Sequence, residues 1–165
     1  MSAKRSIEFS YDVFEEISQL PQEERALLKA ATAILKKAYA PYSRFKVGAA
    51  IALSDGRVFT GNNQENVAYP SGLCAERVAL FYVMSQHPDA EIQAIAIAAH
   101  PQDFELSRVI SPCGACRQAL LEYEIRIGHP IKVILGSEKG EVYRIPSVSA
   151  LLPLSFTESK LKKEG

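Results

Sequence analysis

The spacing of apolar and polar residues divides the chain into alternating strand-like and helix-like stretches. Residues 6–11 alternate, which predicts a short edge strand. Pro21 then opens a helix as a first-turn proline, with Glu23 and Glu24 near the positive end of its dipole. Leu27, Leu28, Ala31, Ile34, Leu35, Ala38 and Tyr39 form one apolar stripe along that helix, and Pro41 stops it. Residues 45–53 and 57–61 read as two strands, joined as a hairpin by Ser54-Asp55-Gly56. A loop follows from Asn62 to Leu73. Residues 74–86 are apolar almost all round, which predicts a buried helix. Residues 92–99 have the composition of a central strand. A second loop, 100–112, leads into a helix at 113–124 and a strand at 131–135. A turn at Glu138-Lys139-Gly140 and a strand at 142–145 come next. Ser147 is placed to cap a short helix that ends before Pro153, and residues 157–165 form a polar tail.

This order predicts an α/β fold, a three-layer α/β/α sandwich around a five-stranded mixed sheet. It also predicts a single domain over 1–165, with 1–20 as an N-terminal extension. The helices at 74–86 and 113–124 each feed a following strand through a short connector. If those strands are parallel, both helices start at the carboxyl edge of the sheet, where open α/β sheets bind ligands.

Composition narrows the classes. A chain of 165 residues with 47% hydrophobic content is long enough to bury one core. It carries 19 basic and 19 acidic residues, a formal net charge of zero. Basic residues cluster only at Lys160, Lys162 and Lys163, so long nucleic acid is not an expected partner. A neutral small molecule needs no such patch. No stretch approaches the ~18 apolar residues of a membrane span, and the start of the chain lacks the apolar core of a signal peptide. The expectation is a cytoplasmic protein with no membrane partner, in which cysteines stay reduced.

Cys74, Cys113 and Cys116 are the three cysteines, and each stands where a helix is predicted to begin. The odd count argues against a purely disulfide role. With those strands parallel, the predicted fold can bring Cys74 beside the other two, although 39 residues separate it from Cys113. Three thiolates with an open fourth position make a catalytic type of zinc centre, one ion per chain. Helix N-termini favour the thiolate form. Cys113 and Cys116 are three apart and can reach one ion from a single turn. In a regular helix Glu76 points about 200° away from residue 74. Cys74 must therefore sit at the very start of its helix. Arg77 is well placed to offset the net −1 of a dication held by three thiolates.

The chemistry that suits this set is hydrolytic deamination of a base. An activated water attacks a ring carbon bearing an amino group. Glu76 takes the water proton, passes it to the ring nitrogen and then protonates the leaving amine. Two other readings stand beside it. Cys113-Gly114-Ala115-Cys116 alone also suits a thiol–disulfide redox pair. A structural zinc needs a fourth ligand, and His87, His100 and His129 have no ligand spacing to a cysteine.

Most of the chain resembles the small cytidine deaminase family of nucleoside deaminases. The resemblance starts at Ala40-Pro41-Tyr42-Ser43-Arg44-Phe45-Lys46-Val47-Gly48-Ala49-Ala50 and continues through Gly61-Asn62-Asn63-Gln64-Glu65-Asn66. It then takes in Tyr69-Pro70-Ser71-Gly72-Leu73-Cys74-Ala75-Glu76-Arg77 and Ser111 to Gln118, and ends near Leu151 to Phe156. Residues 1–20 lie outside it. The resemblance implies zinc on Cys74, Cys113 and Cys116, and Glu76 as the proton shuttle. It implies that Asn63 and Glu65 hold the sugar hydroxyls, that Phe45 walls the base, and that the peptide of Ala75 meets the pyrimidine edge. Arg77 takes the charge-balancing place. Tyr69 and Phe156 match positions that complete a neighbour's pocket, because small members are homotetramers. The implied reaction converts cytidine and 2′-deoxycytidine to uridine and 2′-deoxyuridine in pyrimidine salvage. A related possibility is a deaminase of a cytosine-nucleoside antibiotic such as blasticidin S.

Overall fold

The structure is a computed structural model and describes residues 2–157 and 161. The chain runs β1 (Asp12–Phe14), α1 (Gln22–Ile34), β2 (Phe45–Leu53), β3 (Val58–Asn62), α2 (Ala75–Gln86), β4 (Ile92–Pro101), α3 (Gly114–Ile127), β5 (Lys132–Leu135) and β6 (Val142–Ile145). Short 3-10 turns stand at Ile17–Gln19, Leu35–Lys37, Tyr69–Ser71 and Ser149–Leu151. The strands form one mixed sheet in the order β1-β6-β5-β4-β2-β3. Only β4 and β5 pair in parallel, across the α3 crossover. The other neighbours are antiparallel.

Strand alternation sends alternate side chains to opposite faces and so makes three layers. On one face, Leu27, Leu28 and Ala31 of α1 pack on Ala50, Ala94, Ala96, Ala98 and Ile134. On the other, Ala79, Leu80 and Val83 of α2 and Leu120 and Leu121 of α3 pack on Ile51, Ile95, Ile97, Val133 and Leu135. The α1 face is built from small residues, and the helix comes very close. A Cβ at Gly48 would lie 2.1 Å from the Ala31 carbonyl oxygen and 2.8 Å from Ile34 Cγ2. Backbone cannot swing aside as a side-chain tip can. Gly48→Ala is therefore expected to cost about 1–3 kcal/mol or more through forced separation of the layers. Denaturant unfolding measures this, and an unchanged midpoint would show that α1 floats on the sheet.

Four expectations need correcting. The sheet has six strands rather than five, and the edge strand lies at residues 12–14 rather than 6–11. Side-chain pairing sets this register. Asp12 pairs across from Arg144 with their charges 2.7 Å apart, and the Phe14 ring lies under the same guanidinium at 5.1 Å. Residues 6–11 take no place in that ladder, although the Tyr11 ring packs on Tyr143 of β6 with centroids 5.0 Å apart.

The first helix also ends early, at Ile34, because the loop after β3 claims the residues that follow. Tyr39 donates its N–H to the Asn63 carbonyl (3.0 Å) and accepts from Glu65 N–H (2.8 Å). Finally, α2 is not buried all round: Phe81 and Tyr82 stay 43% and 54% exposed. The predicted polar tail lies mostly outside the described residues.

Candidate metal centre

Strand directions place the site. With β2 antiparallel to both β3 and β4, and β4 parallel to β5, strands β3, β4 and β5 all run one way. The helices that follow β3 and β4 thus begin at the same sheet edge, the carboxyl ends, where such sheets hold ligands.

Cys74 stands one residue ahead of α2 in extended backbone (φ −68°, ψ 151°), and Cys113 one residue ahead of α3 (φ −67°, ψ 165°). Neither therefore shares the regular turn that carries its neighbours. This is the condition that lets Cys74 and Glu76 approach one place from different sides. Cys116 sits in the first turn of α3 and is fully buried.

The sulfurs converge. Cys74 Sγ lies 3.9 Å from Cys113 Sγ, and Cys113 Sγ lies 3.5 Å from Cys116 Sγ. All three lie within 4.8 Å of one another. Zn–S bonds of about 2.3 Å in a regular tetrahedron put ligand sulfurs about 3.8 Å apart. The cluster is therefore already the size a zinc ion requires. Among the described residues no fourth His, Cys, Asp or Glu joins it, so one tetrahedral position stays open.

The charges agree. A hydrogen bond from Cys116 and then the Arg77 guanidinium, 3.7 Å from Cys74 Sγ, together bring the Cys74 thiol down to about 5 against the pull of burial. Cys116 is pushed strongly upward, first by that same hydrogen bond and then by burial. Cys74 is thus favoured as a thiolate and Cys116 as a thiol, and a dication is what would hold three thiolates together. Arg77 Nε is buried without a partner, which fits a guanidinium held for its charge.

Glu76 is only 4% exposed, and its side chain faces the same cleft. Burial pushes its carboxyl above the usual carboxylate range, against a backbone hydrogen bond that favours the charged form. An elevated pKa suits a group that must both take and return a proton near neutrality.

The cleft has a volume of about 690 Å³. Asn63, Glu65, Tyr69, Cys74, Glu76, Arg77 and Cys113 line it, so seven residues singled out in the sequence meet at one place. Asn63 donates from Nδ2 to the Phe45 carbonyl (2.9 Å) and accepts from Val47 N–H (2.8 Å). Glu65 accepts from the backbone N–H groups of Tyr42 and Ser43 and from the Ser43 hydroxyl.

Three other expected residues are not among the side chains that line the cleft. Phe45 rests its ring against Phe104, centroids 6.2 Å apart, and Val47 takes the cleft wall. Ala75 is fully buried in the first turn of α2. Phe156 is 73% exposed, with its carbonyl held by Gln118 Nε2 at 3.0 Å.

Sequence reasoning missed Tyr42, Ser43, Ile97, Ile110 and Ser111 as lining. For all but Ile97, which lies within β4, the one available signal was a place in the loops over the carboxyl edge.

The site defines a class: an open three-thiolate metal centre with a buried acid–base group, on the carboxyl edge of a mixed α/β sheet. The comparisons narrow it. Residues 21–128 match the family described as cytidine and deoxycytidylate deaminase zinc-binding region. The cytidine deaminase of Halalkalibacterium halodurans is 42% identical over 135 residues, 82% of this chain and 95% of that one. The cytidine deaminase of Mycobacterium tuberculosis is 42% identical over 105 residues, 62% of this chain and 74% of that one. The solved cytidine deaminase of Burkholderia pseudomallei is 44% identical, with a TM-score of 0.67 over 79% of this chain and 97% of that one. The chain belongs to the cytidine and deoxycytidylate deaminase family.

Proposed function

We propose that this chain hydrolyses cytidine and 2′-deoxycytidine to uridine and 2′-deoxyuridine with release of ammonia. The observation that carries this is the sulfur triangle, already sized for zinc, in one cleft with buried Glu76 and with Asn63 and Glu65. When held by Cys74, Cys113 and Cys116, zinc supplies the Lewis acidity that makes a water molecule reactive near neutral pH. Glu76 accepts that water's proton, delivers it to the ring nitrogen and protonates the departing amine. Arg77 offsets the excess charge of the thiolates. Asn63 and Glu65 orient the sugar: an amide both donates and accepts, and a carboxylate accepts strongly from a hydroxyl. The Ala75 peptide and Phe45 complete the base pocket, Phe45 by a ring movement or through a bound neighbour.

The catalytic domain takes in the whole chain, acts in pyrimidine salvage in the cytoplasm and assembles as a homotetramer. Exposed aromatics support the assembly: Tyr69 at 75% beside the cleft, Phe156 at 73%, and Phe81 and Tyr82 on α2. Tyr69 and Phe156 then meet a neighbour's pocket. No helix among the described residues is long and apolar enough to cross a membrane.

A substrate panel tests the reading. Purified protein should carry one zinc per chain and convert cytidine and deoxycytidine, read as a change in ultraviolet absorbance. Cytosine and adenosine should remain unchanged. Turnover of blasticidin S in place of cytidine would replace the nucleoside reading with the antibiotic one. Zinc-free protein carrying a Cys113–Cys116 disulfide would restore the redox reading.

A further inference from the structure

Glu65 is held by one dipeptide far away in sequence. Its Oε2 accepts from Tyr42 N–H at 2.9 Å and from Ser43 N–H at 3.3 Å, and its Oε1 accepts from the Ser43 hydroxyl. A carboxylate offers about four acceptor directions, so three are taken and one on Oε1 is left. The hydroxyl has no freedom to turn away. Phe45 N–H donates to Ser43 Oγ at 3.0 Å, which leaves the hydroxyl proton directed at Glu65.

The turn that makes this possible is unusual. Arg44, between Ser43 and Phe45, has φ 53°, in the left-handed region that residues with a Cβ seldom adopt. It is fixed there from three sides. Its N–H donates to the Ala40 carbonyl (3.1 Å), its carbonyl accepts from Gln102 N–H (3.0 Å), and its guanidinium meets Asp103 at 2.9 Å. A strained, over-determined turn beside a cleft serves placement of what it carries. Ser43 and Glu65 both line that cleft.

We infer that Ser43 is a positioning residue of the sugar subsite, whose hydroxyl decides which lone pair of Glu65 is presented to a nucleoside hydroxyl. The inference rests on the reading of Glu65 as a sugar ligand. A carboxylate locked in one rotamer binds without an ordering cost at the moment of association, whereas a loose one must be immobilised. The Ser43 contacts also keep Glu65 charged. Burial raises its pKa, but the hydrogen bonds from Ser43 and from the Tyr42 and Ser43 backbone outweigh that and hold it below the usual carboxylate range. The effect belongs to binding, because Ser43 reaches the substrate only through Glu65.

Steady-state kinetics on the zinc-loaded protein tests this with four variants and cytidine as substrate. Ser43→Ala should raise KM about 2–10-fold, the size expected from freeing one side chain, with kcat within about twofold. Ser43→Thr keeps the hydroxyl and should restore KM. Adding Ser43→Ala to Glu65→Gln should raise KM no further than Glu65→Gln alone. An unchanged KM in Ser43→Ala, a rise shared by the threonine variant, or full additivity with Glu65→Gln would each overturn the positioning role. The sugar-site reading fails separately, if Glu65→Gln itself leaves KM unchanged.

Discussion

Glu76→Gln is expected to lower kcat by about 10²–10⁴-fold while the protein retains its full complement of zinc. The two halves of this result have different origins. Glutamine has nearly the shape of glutamate but cannot take a proton from water and return it to an amine. The ion would be held by Cys74, Cys113 and Cys116, whose sulfur atoms lie within 4.8 Å of one another. Stability should not suffer. Glu76 is 4% exposed and burial already disfavours its charged form, so a neutral side chain of equal size relieves a cost. Turnover measured beside metal analysis and a melting curve separates these effects. Turnover near that of the parent would reject Glu76 as the shuttle, and loss of zinc would mean that it helps to hold the ion.

Glu124→Ala is expected to be the most damaging change away from the cleft, at about 2–6 kcal/mol of folding stability. This carboxylate is 8% exposed near the end of α3. It accepts from Ile131 N–H (2.8 Å), Val148 N–H (2.7 Å) and Ser149 N–H (2.9 Å). It thus binds α3 to the start of β5 and to the turn after β6. Alanine leaves two fully buried N–H groups and one partly buried without an acceptor, and each of the two fully buried orphans costs about 1–3 kcal/mol. Against a typical total of about 5–15 kcal/mol, such a loss is a large fraction of the stability of the fold. Chemical denaturation measures it directly. A loss below about 1 kcal/mol would show that water replaces the carboxylate.

How far the sequence discloses this protein depends on the range of each interaction. The hairpin at Ser54-Asp55-Gly56 and the helix starts at Cys74 and Cys113 were legible because turn chemistry and periodicity are local. The convergence of the cysteines was legible too, because two helices following parallel strands must begin on one edge. The position of β1 was not. The alternation at 6–11 satisfies the same local rule as the true strand, and only Arg144, 132 residues from Asp12, chooses between them. The early end of α1 was hidden for the same reason, since Tyr39 is claimed by Asn63 and Glu65. Glu124 gave no signal at all, and Ser43 gave none beyond its place in the stretch that carries the resemblance. A lone glutamate on a helix and a lone serine in a turn look solvated until the backbone groups they serve are seen. For Phe81 and Tyr82, apolar character on every face of α2 was visible, but a single chain covers only part of it.

The alanine lining under α1 has a consequence for anyone wishing to rebuild this molecule. Ala50, Ala94, Ala96 and Ala98 lie beneath a helix so near that even a methyl group at Gly48 collides with its backbone. The opposite surface of the same strands carries Ile51, Ile95 and Ile97, where methylenes can be removed or exchanged at moderate cost. Engineers therefore have a permissive side, which also supports the helices bearing the sulfurs, and an intolerant side, remote from the chemistry. Randomised libraries confined to the first should yield folded members, and those spread over the second should mostly fail.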